Sequence, residues 1–207
     1  NCSYQLLVPI VKMTEPKRSA QQSGIDESQR STYTFKEASF RTTYSSIALL
    51  LTVVIYWNFY DKLGIKVPEL TTDTARLVYT IKLSFFSLIP LVVSLFHVML
   101  GRITNPLARN PLSGHEYHVE KANRILTNTV EQLLFSLVNT LVFSVLIPKE
   151  KVFLIPLIIL CFLAGQIIFV VGYSIHPKHR VFGFVWTFVP TMLVFLYNLT
   201  NICSLVA

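Results

Sequence analysis

The stretch Val152–Ile175 reads VFLIPLIILCFLAGQIIFVVGYSI and contains no charged side chain. A helix that crosses a bilayer needs roughly 20 mostly apolar residues, so this stretch predicts a transmembrane helix. Four further runs come close to that length or exceed it: Tyr44–Tyr60, Val78–Leu100, Val119–Ile147 and Val181–Val206. The sequence therefore predicts an all-α membrane protein with five transmembrane helices.

The composition agrees with this fold class and leaves no room for a soluble catalytic domain. Of the 207 residues, 52% are hydrophobic and 14% are charged, against about 25% charged residues in typical soluble proteins. The three cysteines, Cys2, Cys161 and Cys203, are far apart, which predicts neither a disulfide framework nor a zinc site. No metal is expected. The net charge of +7 is interpreted as a topology signal and not as a sign of nucleic-acid binding.

The lysines and arginines predict which side of the membrane each loop faces. With the N-terminus in the cytosol, eleven of them fall on the cytosolic side and five on the other, in agreement with the positive-inside rule. Pro148 and Pro177 lie in short connections that make the last three spans antiparallel neighbours. Pro90 and Pro190 lie inside spans and are expected to kink them.

Residues 1–43 are predicted to form a disordered cytosolic tail, because they are rich in Ser, Gln and charge. Met13 opens the hydrophilic part, so residues 1–12 are either an upstream remnant or part of a longer chain. No signal peptide is predicted. The first span, residues 44–60, is expected to target the chain to the membrane.

A polar stripe runs along the third span. At 100° per residue, Lys121, Arg124, Asn128 and Glu131 share an arc of about 80°. Charged side chains are costly in lipid, so the stripe is expected to face other helices or a polar cleft. One interpretation is a structural network in which Arg124 pairs with Glu131 and Asn128 bridges helices. The other is a site for an anionic, peptide-like ligand, with Lys121 and Arg124 on carboxylates and with Asn128 and Glu131 on amide or amine groups.

A second group of polar residues lies on the same predicted side, where Tyr173 closes the fourth span and Arg180 opens the fifth. An arginine there is suited to stabilise a developing anion such as a thiolate, and a tyrosine hydroxyl can donate to it. The alternative is that Arg180 is an ordinary cytosolic membrane anchor.

The motif Lys121-x-x-Arg124-x-x-x-Asn128-x-x-Glu131, followed by Gly172-Tyr173 and Arg180, resembles the MAPEG superfamily, the membrane-associated proteins in eicosanoid and glutathione metabolism. Members of that family are four-helix subunits that assemble as trimers and bind glutathione between subunits near the cytosolic face. The resemblance implies a four-helix domain over about residues 78–206, preceded by one extra span at 44–60. The Val67-Pro-Glu-Leu70 loop is typical of a five-span branch of the family.

The resemblance also implies roles for individual residues. Glutathione is expected to contact a set of residues at this face: Arg102, Lys121, Arg124, Asn128, Glu131 and Tyr173. Arg180 takes the position of the arginine that polarises the glutathione thiol. Gln166 and Phe169 depart from the family pattern, in which Arg and Tyr are frequent at these positions.

Two functions remain open from the sequence. The first is a glutathione-binding protein, with glutathione as cosubstrate, that conjugates or reduces lipophilic electrophiles like a microsomal glutathione transferase or peroxidase. The alternative, which the resemblance to the five-span branch implies, is a non-catalytic endomembrane protein in secretory or lysosomal trafficking, or in turnover of receptors of the Wnt pathway, which would bind other membrane proteins. Both imply an integral protein of the endomembrane system (ER, Golgi or lysosome-related) with a cytosolic N-terminus, surrounded by lipid, and a homotrimer. A channel or transporter is disfavoured, because one polar helix per subunit makes no obvious pore.

Overall fold

The computed structural model of the chain describes residues 35–59, 62, 68, 70–110 and 114–206. In these residues it contains six α-helices. They are α1 (Phe35–Phe59), α2 (Asp73–Ser84), α3 (Ile89–Thr104), α4 (Glu120–Leu146), α5 (Leu154–Ile175) and α6 (Arg180–Val206).

Five helical segments in this part of the chain are long and apolar enough to cross a membrane. They are Glu37–Phe59, Asp73–Thr104, Glu120–Leu146, Lys149–Ile175 and Pro177–Leu205. The predicted fold class, an all-α membrane protein with five transmembrane helices, is therefore confirmed.

The second span is built from two helices, α2 and α3, joined by a 3₁₀ turn at Phe85–Leu88. Pro90 lies at the start of α3, where its missing N–H and its ring are incompatible with continuing the α2 hydrogen bonds. The hydroxyl of Ser94 donates to the Pro90 carbonyl at 2.8 Å. The α-helix is thus interrupted by a 3₁₀ turn just before Pro90, whereas α6 continues through Pro190, and the kinks expected at the two prolines stay predictions.

The first helix extends beyond the predicted span. Residues 35–43 were expected in the disordered tail, but α1 begins at Phe35, and residues 1–34 lie outside the described residues. The added turns are polar, and they contact the turn before α6: a guanidinium nitrogen of Arg41 lies 3.1 Å from His179 Nδ1, and Lys178 Nζ lies 3.3 Å from the Glu37 carboxylate. These tertiary contacts favour helix where composition alone predicts disorder.

The contacts between chain segments define two ends of the bundle. At one end α1, α4 and α6 begin and α3 and α5 end. We call this the basic end, because it carries Arg41, Arg102, Lys121, Arg124, Lys178 and Arg180. At the opposite end, buried Arg76 donates to the carbonyl of Ile147 and to Asp73. This second end thereby has its own anchoring contact between α2 and the end of α4.

Glycines allow α5 and α6 to approach each other closely. A Cβ on Gly165 would lie 2.6 Å from Thr187 Cγ2 and 3.0 Å from the Thr187 backbone nitrogen, and a Cβ on Gly183 would collide with the backbone of Phe169. Real Cβ atoms do not tolerate such separations, so the two helices can pack this way only with glycine at these positions. The close contact fixes where the residues at the basic end of α5 lie relative to the start of α6.

A buried polar chain links α3, α4 and α5. Thr129 donates to Gln166 Oε1 at 3.0 Å, and its oxygen lies 3.5 Å from the Ser94 hydroxyl. Thr129 and Gln166 are both fully buried. Such side chains hold neighbouring membrane helices together, so this chain of contacts fixes α4 against its neighbours next to the polar stripe.

Candidate functional site

A cleft of about 710 Å³ opens between α4, α5 and α6 at the basic end. It is lined by Glu116, Tyr117, Glu120, Asn123, Arg124, Thr127, Asn128, Glu131, Phe169, Tyr173, Arg180, Val181 and Phe184. Five of the seven predicted site residues are among them: Arg124, Asn128, Glu131, Tyr173 and Arg180. Helical periodicity places the first three on one face of α4, and the short Pro177–His179 turn brings the last two alongside.

Arg124 forms an ion pair within its own helix. Its guanidinium donates to Glu120 Oε1 from Nη2 at 2.7 Å and from Nε at 3.1 Å. Both side chains are largely exposed, at 62% and 49%, and exposed pairs at i, i+4 contribute only about 0.3–0.5 kcal/mol. Within one chain Arg124 therefore pairs with Glu120 and not with Glu131, whose exposed carboxylate lines the cleft.

Tyr173 lies between the two basic elements of the site. Arg180 and Lys121 each place their cationic group 5.9 Å from the centre of its ring. The Phe169 ring stacks against Tyr173 with centroids 5.8 Å apart, and Tyr173 is only 7% exposed. A cation over an aromatic face is attracted by the ring quadrupole, so Tyr173 attracts both cations, of which Arg180 lines the cleft.

The other two predicted residues lie outside the cleft lining. Lys121 Nζ donates to the carbonyl of Ser174 at 3.0 Å, which caps the end of α5 instead of facing the cleft. Arg102 contacts Glu116 at 3.0 Å and the carbonyl of Ala108 at 3.0 Å, and Glu116 also accepts from Asn123 at 3.0 Å. Arg102 therefore reaches the cleft only through Glu116, as a positioning residue.

Asn128 carries a polar atom without a partner. Its Nδ2 is buried and makes no hydrogen bond within the described part of the chain, although the residue lines the cleft. An unsatisfied buried donor costs about 1–3 kcal/mol, and a ligand oxygen in the cleft would remove that cost. The unpartnered Nδ2 donor of Asn128 therefore fits a ligand with carboxylate or amide oxygens.

Sequence reasoning missed several lining residues, above all the acids Glu116 and Glu120. The position of Glu120, four residues before Arg124, is a signal that helical spacing offers. Glu116 lies in a 3₁₀ turn outside the helix, and its contact with Arg102 has no periodic signature. The two acids make the mouth of the cleft less positive than the predicted basic residues alone would make it.

A second, apolar groove adjoins the cleft. It holds about 610 Å³ between α4 and α6 and shares Glu131 with the first. The rest of its lining is mostly apolar: Leu134, Phe135, Val138, Asn139, Val142, Phe195, Asn198, Leu199 and Ile202. A polar cleft and an apolar groove thus meet at one carboxylate. No group of three or more His, Cys, Asp or Glu side chains within the described ranges is placed to hold a metal ion.

Comparison with known proteins gives a consistent result. The model of the MAPEG family matches residues 74–200, more than half of the chain. Transmembrane protein 79 (mattrin) of Mus musculus is 26% identical over 152 residues, which are 73% of this chain and 39% of that protein. Its counterpart in Bos taurus is 25% identical over 151 residues, 73% of this chain and 38% of its own length.

The chain spans about two fifths of the length of these curated relatives. No solved structure matches it significantly. The family resemblance carried by the α4 motif, and the similarity to a five-span branch, are confirmed by the family match and by these relatives.

Proposed function

The chain belongs to the MAPEG family, and from that premise we propose that it binds glutathione in the cleft between α4, α5 and α6. Many members of the family use glutathione. We further propose that the bound thiol is conjugated to lipophilic electrophiles that reach the site through the bilayer. The single observation that carries the proposal is the meeting of Arg124, Asn128 and Arg180 in one cleft.

The donors and acceptors of the cleft match the groups of the peptide. Glutathione carries two carboxylates, an ammonium group, two amides and a thiol. The Arg124 guanidinium suits a carboxylate, the unpartnered Asn128 Nδ2 suits a carbonyl or carboxylate oxygen, and the exposed Glu131 suits the ammonium group. Opposite charges are therefore available for each end of the ligand.

Arg180 is the residue proposed to act on the sulfur. Its cation lowers the free energy of a thiolate in a partly dehydrated site, and the Tyr173 hydroxyl is a further donor. The thiol proton leaves to water, the sulfur forms a bond to the electrophilic carbon, and the leaving group departs with the electron pair of its bond. The apolar groove that meets the cleft at Glu131 would hold the lipophilic partner.

A neighbouring copy of the chain is part of the proposal. The charged face of α4 is exposed in one subunit, with the Arg124 side chain 62% exposed, although α4 is a candidate span. A charged side chain within a bilayer costs at least about 2.5–3.5 kcal/mol. Assembly as a homotrimer would cover this face and complete the site.

Calorimetric titration of the purified protein in mild detergent with glutathione tests the binding step. We expect saturable binding, weakened about tenfold or more by Arg124→Ala, because a charge-assisted contact contributes about 1.5–3 kcal/mol. Arg109→Ala removes an exposed arginine outside the cleft and should leave affinity unchanged. Absence of binding by the wild type, or equal losses in both variants, would reject the site.

The second candidate is a non-catalytic role in trafficking or in turnover of membrane receptors, in an endomembrane compartment. It is favoured by Gln166, which is fully buried, bonded to Thr129 and absent from the cleft lining, and by Phe169, which lines the cleft without a hydroxyl. The cleft then has fewer groups that act on a ligand. Glutathione binding without formation of a conjugate from a model aryl halide would support this candidate over the enzyme.

A further inference from the structure

A further groove, separate from the cleft and from the apolar groove, lies at the basic end beside α1, the helix that precedes the family-matched region. It encloses about 770 Å³ between α1 and α6 and is lined by Glu37, Phe40, Arg41, Tyr44 and Phe182. Sites for small ligands typically enclose about 300–1,000 Å³. This groove is distinct from the cleft on α4, since the two share no lining residue.

The cation in this groove has no anionic partner among the residues that the structure describes. Arg41 is half-buried, and its one hydrogen bond within the described ranges is to an imidazole nitrogen, His179 Nδ1, at 3.1 Å. A guanidinium has five N–H donors in a planar fork, so most of them remain available. Glu37, the acid in the lining, lies against Lys178 at 3.3 Å instead. The groove therefore offers a positive group to an anion.

The remaining walls are aromatic and lie where a membrane interface is expected. The Phe40 and Tyr44 rings pack edge to face at 4.3 Å and are 62% and 53% exposed. Arg41 lies in the first turns of the span Glu37–Phe59. Aromatic side chains with a nearby cation are typical of the headgroup level of a bilayer, with the rings beside the upper acyl chain and the cation beside the phosphate.

The helices that form the groove are held in register. The Ser45 hydroxyl donates to the carbonyl of Phe182 at 3.0 Å, and farther along α1 the Tyr56 hydroxyl donates to the carbonyl of Phe153 at 2.9 Å. Ser45 is buried. The first contact fixes α1 against α6 and the second fixes it against the start of α5, so Arg41 lies where packed helices hold α1 beside the turn before α6.

We propose that this groove binds the phosphate headgroup of an anionic phospholipid, with Arg41 on the phosphate and the acyl chains beside Phe40 and Tyr44. Charge complementarity selects this occupant: among the described residues the cation has no acidic partner, the acid in the lining pairs with Lys178, and the aromatic walls are exposed. If the basic end is cytosolic, it faces the leaflet that carries most anionic lipid.

The test measures lipid affinity of the full chain by native mass spectrometry from mild detergent, with phosphatidylserine and phosphatidylcholine added in turn. We expect tighter binding of phosphatidylserine, weakened about tenfold by Arg41→Gln. Arg109→Gln removes one positive charge from an exposed site outside the groove and should leave the affinity within about twofold of wild type. Phosphatidylcholine, whose phosphate charge is offset by the choline cation, should be weakened less than phosphatidylserine by Arg41→Gln and should be unaffected by Arg109→Gln.

A second variant tests the charge of the groove independently if Arg41→Gln does not fold. Glu37→Gln removes the negative charge from the lining and should strengthen phosphatidylserine binding severalfold. Glycerophosphoserine, the headgroup without chains, should not compete at millimolar concentration. The proposal is overturned if wild type does not prefer phosphatidylserine, if Arg41→Gln and Arg109→Gln weaken binding equally, if Glu37→Gln gives no gain, or if the soluble headgroup displaces the lipid.

Discussion

The guanidinium of Arg180 lies 5.9 Å from the centre of the Tyr173 ring, and only the Pro177–His179 turn and the last residues of α5 separate the two along the chain. Tyr173 is buried, whereas Arg180 is exposed. Within the described residues the Arg180 side chain makes no hydrogen bond or ion pair. Its position is therefore set by an aromatic face, and its N–H groups remain available to an anion in the cleft.

Replacing Arg180 is expected to affect the thiol of bound glutathione more than its affinity. Arg180→Ala removes the cation proposed to stabilise the thiolate, so the thiol pKa of bound glutathione should rise and the thiolate absorbance near neutral pH should disappear. Affinity should change by less than about threefold, since Arg124 and Asn128 hold the peptide. Ultraviolet difference spectra over a pH series, together with calorimetry, measure both quantities.

The matched comparison is Arg124→Ala, which should show the reverse pattern, weak binding with the thiol pKa of the remaining complex unchanged. A loss of affinity in Arg180→Ala as large as that in Arg124→Ala would assign Arg180 to anchoring and remove its proposed role on the sulfur.

Glu120 is expected to oppose ligand binding. Its carboxylate occupies the Arg124 guanidinium at 2.7 Å, so a glutathione carboxylate must replace it. Glu120→Gln should therefore tighten glutathione binding by about twofold, because an exposed i, i+4 pair contributes about 0.3–0.5 kcal/mol. The gain should vanish in the Arg124→Ala background, and a gain that persists there would show that Glu120 acts independently of Arg124.

The sequence predicted which residues line the cleft better than it predicted which groups their side chains contact. Helical periodicity places Arg124, Asn128 and Glu131 on one face, because a helix repeats every 3.6 residues whatever surrounds it. Lys121 belongs to the same arc, yet its long side chain reaches the carbonyl of Ser174. The position of the flexible Lys121 ammonium group depends on the carbonyl groups that tertiary packing brings near it. Helical periodicity does not specify those carbonyl groups.

The sequence prediction starts the first helix too late for the same reason, because α1 begins at Phe35. Composition predicts disorder for residues 35–43 because they are polar, but Arg41 and Glu37 find partners in the turn before α6. Those partners are more than 130 residues away in sequence. The interruption of the α-helix next to Pro90, in contrast, follows from the proline itself.

Gly183 is expected to be intolerant of any side chain. An added Cβ would meet the backbone of Phe169 and Gly165, so α5 and α6 would have to separate. Overpacking typically costs about 1–3 kcal/mol, and Gly183→Ala should lower the midpoint of thermal unfolding in detergent by several degrees. Gly101→Ala is the comparison, since its Cβ would meet the buried Val119 side chain at 2.9 Å but no backbone atom within 4 Å, so a smaller decrease is expected. Equal stability of the two variants would contradict the close packing.

Labelling with an impermeant thiol reagent tests the predicted orientation. In a chain whose three cysteines are replaced, Arg109→Cys should be labelled from the cytosolic side and Lys149→Cys from the other, since the two residues are exposed at opposite ends of the bundle. Labelling of Arg109→Cys only from the lumen would reverse the topology and place the cleft away from the cytosol.

The glycosylation state of Asn198 tests the buried position of this residue. The sequence Asn198-Leu-Thr200 is formally a glycosylation sequon, but Asn198 is 4% exposed and donates to the carbonyl of Asn139 at 2.9 Å within the bundle. It should remain unmodified. A mobility shift on deglycosylation that is absent from Asn198→Gln would contradict this placement.

A homotrimer is expected because α4 exposes a charged and apolar face that a single chain leaves uncovered. Glu131, Leu134 and Val138 share that face, and the last two are 63% and 52% exposed. Mass measurement in mild detergent should give three copies of the 23.6 kDa chain.

Val138→Trp should shift the assembly towards monomer, because a large ring cannot be accommodated where two subunits pack. Ile167→Trp changes a residue on α5 that is 62% exposed and lies outside this face, so it should leave the trimer intact. If Val138→Trp assembles like the wild type, or if the wild type is monomeric at micromolar concentration, this face of α4 contacts lipid, and glutathione would have to bind within one chain.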